Sequence, residues 1–139
     1  MAGIAALGAV LQALQDSQTF ASSTQMHDFR ERLVASLRQA FDGVVFNAPL
    51  DISLPTTLNF SVPGINSKQL LALFEAAHVR VSAGSACSSA RAEPSYVLCA
   101  MGLPVWQTTS AVRLSFGALA DEAFITQACQ RIRRCGAAW

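Results

Sequence analysis

A chain of 139 residues, 52% hydrophobic, 14% charged and of net charge +1, is long enough for one domain with a real core and too short for two comfortable ones. That balance gives no hold to nucleic acid or to an anionic membrane surface, so neither is expected as a partner. The charged fraction falls below the roughly one quarter usual for soluble domains, which points either to apolar surface buried against something outside this chain or to alanine-rich helical surface.

The N-terminal stretch MAGIAALGAVLQALQ has no basic residue before Arg30, whereas a secretory leader begins with positive charge and a membrane span needs about 20 apolar residues. Ile4, Leu7, Val10/Leu11 and Leu14 instead predict an amphipathic helix with one apolar stripe. After the polar link DSQTFASST, Ser22 with Gln25 three residues on has the form of a capping box. Met26, Phe29, Leu33, Leu37 and Phe41 then recur at steps of three and four, predicting a second helix that ends at DGVV, where a short strand begins.

TTLNFSV alternates, with Leu58, Phe60 and Val62 on one face and Asn59 and Ser61 on the other, as in a half-buried strand. Past the PG break, Asn66 and Gln69 form a second capping signal ahead of Leu70, Leu71, Leu73 and Phe74. VRVSA reads as a strand with Val79 and Val81 inward, and Pro94 suits the first turn of a helix carrying Tyr96 to Met101. AVRLSFG is a further alternating strand, and Phe124, Ile125, Ala128, Cys129 and Ile132 mark a last helix. Helices and strands interleave without a βαβ rhythm, so the expected fold is α/β of the α+β type. Its form is a two-layer sandwich of helices on a small mixed or antiparallel sheet.

Four cysteines, Cys87, Cys99, Cys129 and Cys135, contain no C-x-x-C pair and are joined by only two histidines, so no metal site is expected. With no secretory leader in view, reduced thiols and a cytoplasmic location are expected. Cys99 and Cys129 lie on helix faces and read as packing or surface residues, as does Cys135. Cys87 differs, because SAGSACSSARAEPS surrounds it with glycine, alanine and serine. Two readings stand: a reactive thiol that must reach its target, or an incidental cysteine in a turn. Arg113 projects from the face of its strand opposite Val112, Leu114 and Phe116, where it is either a bidentate carboxylate clamp or a solvated surface arginine.

RVSAGSACSSARAEPSYVLCAMGLP followed by AVRLSFG closely resembles the C-terminal region of NifS/IscS-type cysteine desulfurases, pyridoxal-phosphate (PLP) enzymes of the class V aminotransferase fold. LPTTLNFSVPGINSKQLLALFEAAHVRVSAGSAC extends the likeness upstream. The resemblance implies the small domain of a fold type I PLP transferase over residues 25–139, preceded by a linking helix over 1–24. It implies that Cys87 is the nucleophile that takes the sulfur of L-cysteine as a persulfide, and that Arg113 binds the substrate carboxylate. Ser82, Gly84, Ser85, Ala86 and Ser88 would frame the loop.

The family's large domain, with its Schiff-base lysine and its cradle for the cofactor, is not matched. The sole lysine, Lys68, is expected to be a solvated residue in a first helical turn, and His27 and His78 match no family role. PLP is therefore expected in the full-length family but not on this chain alone. The implied partners are L-cysteine and sulfur-acceptor proteins, with either a second copy of this chain or a partner carrying the PLP domain; selenocysteine is an alternative substrate within the family. The alternatives are a stand-alone persulfide carrier without PLP chemistry and an inactive remnant.

Overall fold

The computed structural model describes residues 2–15, 19–84 and 94–137. Along the chain run α1 (Ala2–Gln15), α2 (Ser23–Ala40), β1 (Val45–Phe46), β2 (Thr57–Ser61), α3 (Ser67–Ala76), α4 (Tyr96–Ala100), α5 (Val105–Ser110), β3 (Val112–Ser115) and α6 (Glu122–Ala137). Two of the helix starts are set by the capping boxes expected from the sequence. Ser22 Oγ accepts the Gln25 N–H at 3.2 Å while Gln25 Oε1 accepts the Ser22 N–H at 2.9 Å. Asn66 and Gln69 repeat the exchange at 2.9 and 3.1 Å, so donors that a helix start leaves orphaned are satisfied in both places.

The three strands form one antiparallel sheet in the order β1-β2-β3. Phe46 stands opposite Phe60, Leu58 opposite Leu114 and Asn59 opposite Arg113. Because opposed residues share a face, Leu58, Phe60, Val112 and Leu114 fall together on one side and are buried there. Phe29, Leu33 and Leu37 of α2, Leu70 and Phe74 of α3, and Ile125, Cys129 and Ile132 of α6 close over that side. The Phe60 and Phe74 rings meet edge to face with centroids 5.9 Å apart, and Phe41 lies 5.7 Å from Phe74, spacings at which aromatic pairs attract. This is the two-layer sandwich expected from the alternating elements.

The helical layer is drawn tight where α2 meets α6. Arg32 donates to Glu122 at 2.6 Å and to Thr126 at 2.8 Å. At the far end a Cβ on Gly136 would overlap the Ala40 carbonyl, so only glycine admits this approach of the two backbones. Buried Arg30 donates to the carbonyls of Leu50 and Ser53, tying α2 to the turn that precedes β2.

Several expectations are corrected. VRVSA is not a strand: among its residues only Ser82 pairs, in an isolated bridge to Arg113. The reason lies upstream, where the Val79 N–H is used by the carbonyl of Phe74 and the His78 N–H by that of Glu75, closing α3 in the pattern of a Schellman motif. His78 occupies the positive-φ position there (φ 57°) in place of the usual glycine. Pro94 lies outside α4, whose N-cap is Ser95. Helix α5, with Pro104 as its N-cap, was not expected at all. Phe124 is more than half exposed although it sits among core residues in sequence.

The α1 stripe forms as a helix, yet none of its residues is buried, and Ile4, Leu7, Val10, Leu11 and Leu14 are all exposed. No helix of the described residues is long and apolar enough to cross a membrane.

Candidate functional site

The face of the sheet turned away from the core carries a row of polar residues drawn from four separate stretches of chain. Asn47 follows β1 and sits beside Asn59, its N–H donating to the Asn59 carbonyl at 2.9 Å. Asn59 stands opposite Arg113. Arg113 in turn exchanges two backbone hydrogen bonds with Ser82, at 2.9 Å from the Ser82 N–H and 2.7 Å from its own. The row therefore reads Asn47, Asn59, Arg113, Ser82 across the sheet, on the face opposite Phe60 and Leu114.

Of the residues singled out in the sequence, Arg113 is exposed on β3, as its alternation predicted. No hydrogen bond or ion pair engages its side chain among the described residues. Ser82 is half-buried beside it, and Gly84 takes a φ of 73°, a conformation that glycine adopts freely. Cys87, Ser85, Ala86 and Ser88 lie outside the described residues. The structure thus brings together Arg113 and the stem of the thiol-bearing segment.

The other cysteines occupy unlike settings. Cys129 and Cys135 are buried in the helical layer, while Cys99 is exposed on α4. Burial pushes the Cys135 thiol up from its ordinary range, which keeps it protonated and unreactive at neutral pH.

Sequence reasoning missed Asn47 and Gln107. It also assigned Ser61 to an uncovered face, whereas Ser61 is fully buried because α5 packs over it. Ser61 Oγ donates to the Gln107 carbonyl at 2.7 Å, and Asn47 Nδ2 donates to Ser61 Oγ at 2.9 Å and to Asn59 Oδ1 at 2.6 Å. Gln107 Nε2 completes the set by donating to Asn47 Oδ1 at 2.6 Å. A hint was present in the sequence, since two asparagines and a serine interrupt FNAP and LNFS, stretches that otherwise read as strand. The helix that covers them had no comparable signal.

The class V aminotransferase family profile matches residues 1–127, and the chain belongs to that family. It is 34% identical over 119 residues to the cysteine desulfurase IscS of Clostridium botulinum, covering 84% of this chain and 30% of the relative. It is 41% identical over 104 residues to the IscS of Vibrio atlanticus, covering 75% of this chain and 25% of the relative. Among solved structures, a NifS-like protein superposes with a TM-score of 0.67 at 26% identity, over 84% of this chain and 28% of that one. A NifS-like protein from Rickettsia africae, at 20% identity and TM-score 0.60, shares the fold. The chain thus spans about 30% or less of the length of these relatives.

The family is PLP-dependent, and the described residues do not fit that cofactor. A Schiff base requires a lysine facing a sheltered cavity. Lys68, the sole lysine, is exposed in the first turn of α3. It lines neither the cleft of about 310 Å³ between α6, β3 and residues 78–80 nor the second cleft at the start of α2. Arg113 lines neither cleft and stands on an open face.

Proposed function

We propose that this chain is the small-domain portion of a cysteine desulfurase, in which Arg113 binds the carboxylate of L-cysteine and Cys87 accepts its sulfur. The observation that carries the reading is the paired backbone contact of Ser82 with Arg113, which starts the Cys87-bearing segment beside a guanidinium with no partner among the described residues. A planar fork of donors on a strand suits bidentate capture of a carboxylate.

The overall chemistry balances without an external oxidant. L-cysteine and the Cys87 thiol give alanine and a Cys87 persulfide, the carbon–sulfur bond of the substrate breaking as the sulfur–sulfur bond forms. The cofactor is supplied by residues outside those described here, and α1, with its uncovered apolar stripe, serves as the helix joining residues 25–139 to that part. Sulfur-acceptor proteins then draw on the persulfide.

The misfit of Lys68 favours a second reading, a persulfide carrier that is loaded by a separate donor. One experiment separates the two. The purified chain is mixed with L-cysteine, PLP and the cofactor-bearing portion of the Clostridium botulinum relative, and alanine release is followed beside the mass of the Cys87 peptide. Alanine release with one sulfur atom added at Cys87, both lost in Cys87→Ala, is the expected result. Sulfur on Cys87 only from an intact desulfurase donor supports the carrier instead, and sulfur on neither overturns both readings.

A further inference from the structure

The polar row contains a donor that the clamp reading leaves unused, and its direction is fixed from inside the protein. Ser61 Oγ gives its hydrogen to the backbone carbonyl of Gln107 at 2.7 Å, a group that can only accept. Ser61 therefore accepts from Asn47 and leaves the Asn47 Oδ1 to accept from Gln107 Nε2 at 2.6 Å on the α5 side. Asn47 must then present its Nδ2 to its remaining neighbours, and it does so, to Ser61 Oγ at 2.9 Å and to Asn59 Oδ1 at 2.6 Å. Both Asn47 and Gln107 are buried, and reversing the Asn47 amide would set its oxygen against the Ser61 oxygen, whose hydrogen is already given to the Gln107 backbone carbonyl.

The consequence passes along the sheet to Asn59. Its oxygen is held toward Asn47, on the β1 side, so its planar amide aims the Nδ2 hydrogens to the other side, where Arg113 stands directly opposite. Asn59 Nδ2 donates to nothing among the described residues. Among the described residues every buried side-chain nitrogen and oxygen has a partner, so this half-buried amide is open to solvent. Cross-strand neighbours on one face have Cβ atoms about 5 Å apart, within the span of a single bound carboxylate and its hydrogen bonds.

We propose that Asn59 is a second carboxylate-binding residue beside Arg113, with its amide NH2 held toward the open face by Asn47 and Gln107. The pair offers only donors to a group that only accepts. The arrangement selects a carboxylate and rejects an uncharged amide, whose own NH2 would face donors. Asn47 and Gln107 act as positioning residues. The proposal rests on the reading of Arg113 as the clamp.

The test is a nuclear magnetic resonance titration of the full chain, isotopically labelled, with L-alanine as probe and L-alaninamide as the control lacking a carboxylate. The side-chain Nε–H of Arg113 and the Nδ2 hydrogens of Asn59 are expected to shift together with L-alanine, on one binding curve, and not with L-alaninamide. Asn59→Leu, of similar size and uncharged, is expected to weaken L-alanine binding about tenfold or more, the cost of losing a hydrogen bond to a charged group. Its core resonances should stay in place. If Arg113 shifts but Asn59 does not, or if Asn59→Leu binds within about twofold of the parent, the proposal fails while the clamp stands. If Arg113 itself does not respond, the clamp reading fails and takes the proposal with it.

Discussion

The two faces of the three-stranded sheet solve different problems with the same backbone. Leu58, Phe60, Val112 and Leu114 look into the helical layer and are almost wholly removed from water. On the other face Asn47, Asn59, Arg113 and Ser82 form a polar row that is sealed at the Asn47 end by α5 and open at Arg113. Strand alternation makes the separation automatic, because neighbouring residues in sequence serve opposite faces. Stability and chemistry are therefore held by interleaved residues that can be altered one at a time.

The largest expected effect lies on the inner face. Phe60→Ala removes a fully buried ring that packs on Phe46 and Phe74. It should cost about 3–5 kcal/mol of unfolding free energy in a denaturant titration, enough to unfold much of a marginal domain. A cost under about 1 kcal/mol would mean that the inner face is not the core described here.

A middle effect tests whether the division by faces is complete. Asn47→Ala, on the polar face, strips hydrogen-bond partners from Gln107, Ser61 and Asn59 at once. Because Gln107 and Ser61 are buried, it should cost about 1–3 kcal/mol by the same measurement. This outcome would place the sealed end of the row with the core in its energetics, and the polar face would be functional only at its open end. No loss would show that water replaces the network freely.

The smallest expected effect is at that open end. Arg113→Ala removes an exposed side chain with no partner among the described residues, so its stability should stay within about 0.5 kcal/mol of the parent. Retention of L-alanine binding by this variant, measured in the same titration, would strike the open end from the proposed site.

Much of this was legible along the chain. Ser22 with Gln25 and Asn66 with Gln69 declare helix starts by local hydrogen bonding, which needs no distant partner. The period of two in β2 and β3 likewise assigns Phe60 and Arg113 to their faces from residue order alone. The resemblance of the thiol segment and the arginine strand to cysteine desulfurases was readable for the same reason, since both motifs are contiguous. The failures share an opposite cause. VRVSA has the alternation of a strand, but the C-terminal closure of α3 uses its first N–H, and only Ser82 reaches β3. Phe124 has the right spacing for the core yet lies near the start of α6 and is more than half exposed.

The sequence by itself determined the order of most elements, the capping boxes of α2 and α3, the apolar side of β2 and β3 and the isolation of Arg113 from that side, because each depends on neighbours within a few residues. Tertiary structure alone decided that Ser61 is buried under α5 and that Asn47, Asn59, Arg113 and Ser82 stand in one row. It also fixed which way the Asn59 amide points. Those facts depend on residues 12 to 60 positions apart meeting through the sheet, and the orientation of an amide is settled only by the donors and acceptors that surround it in space.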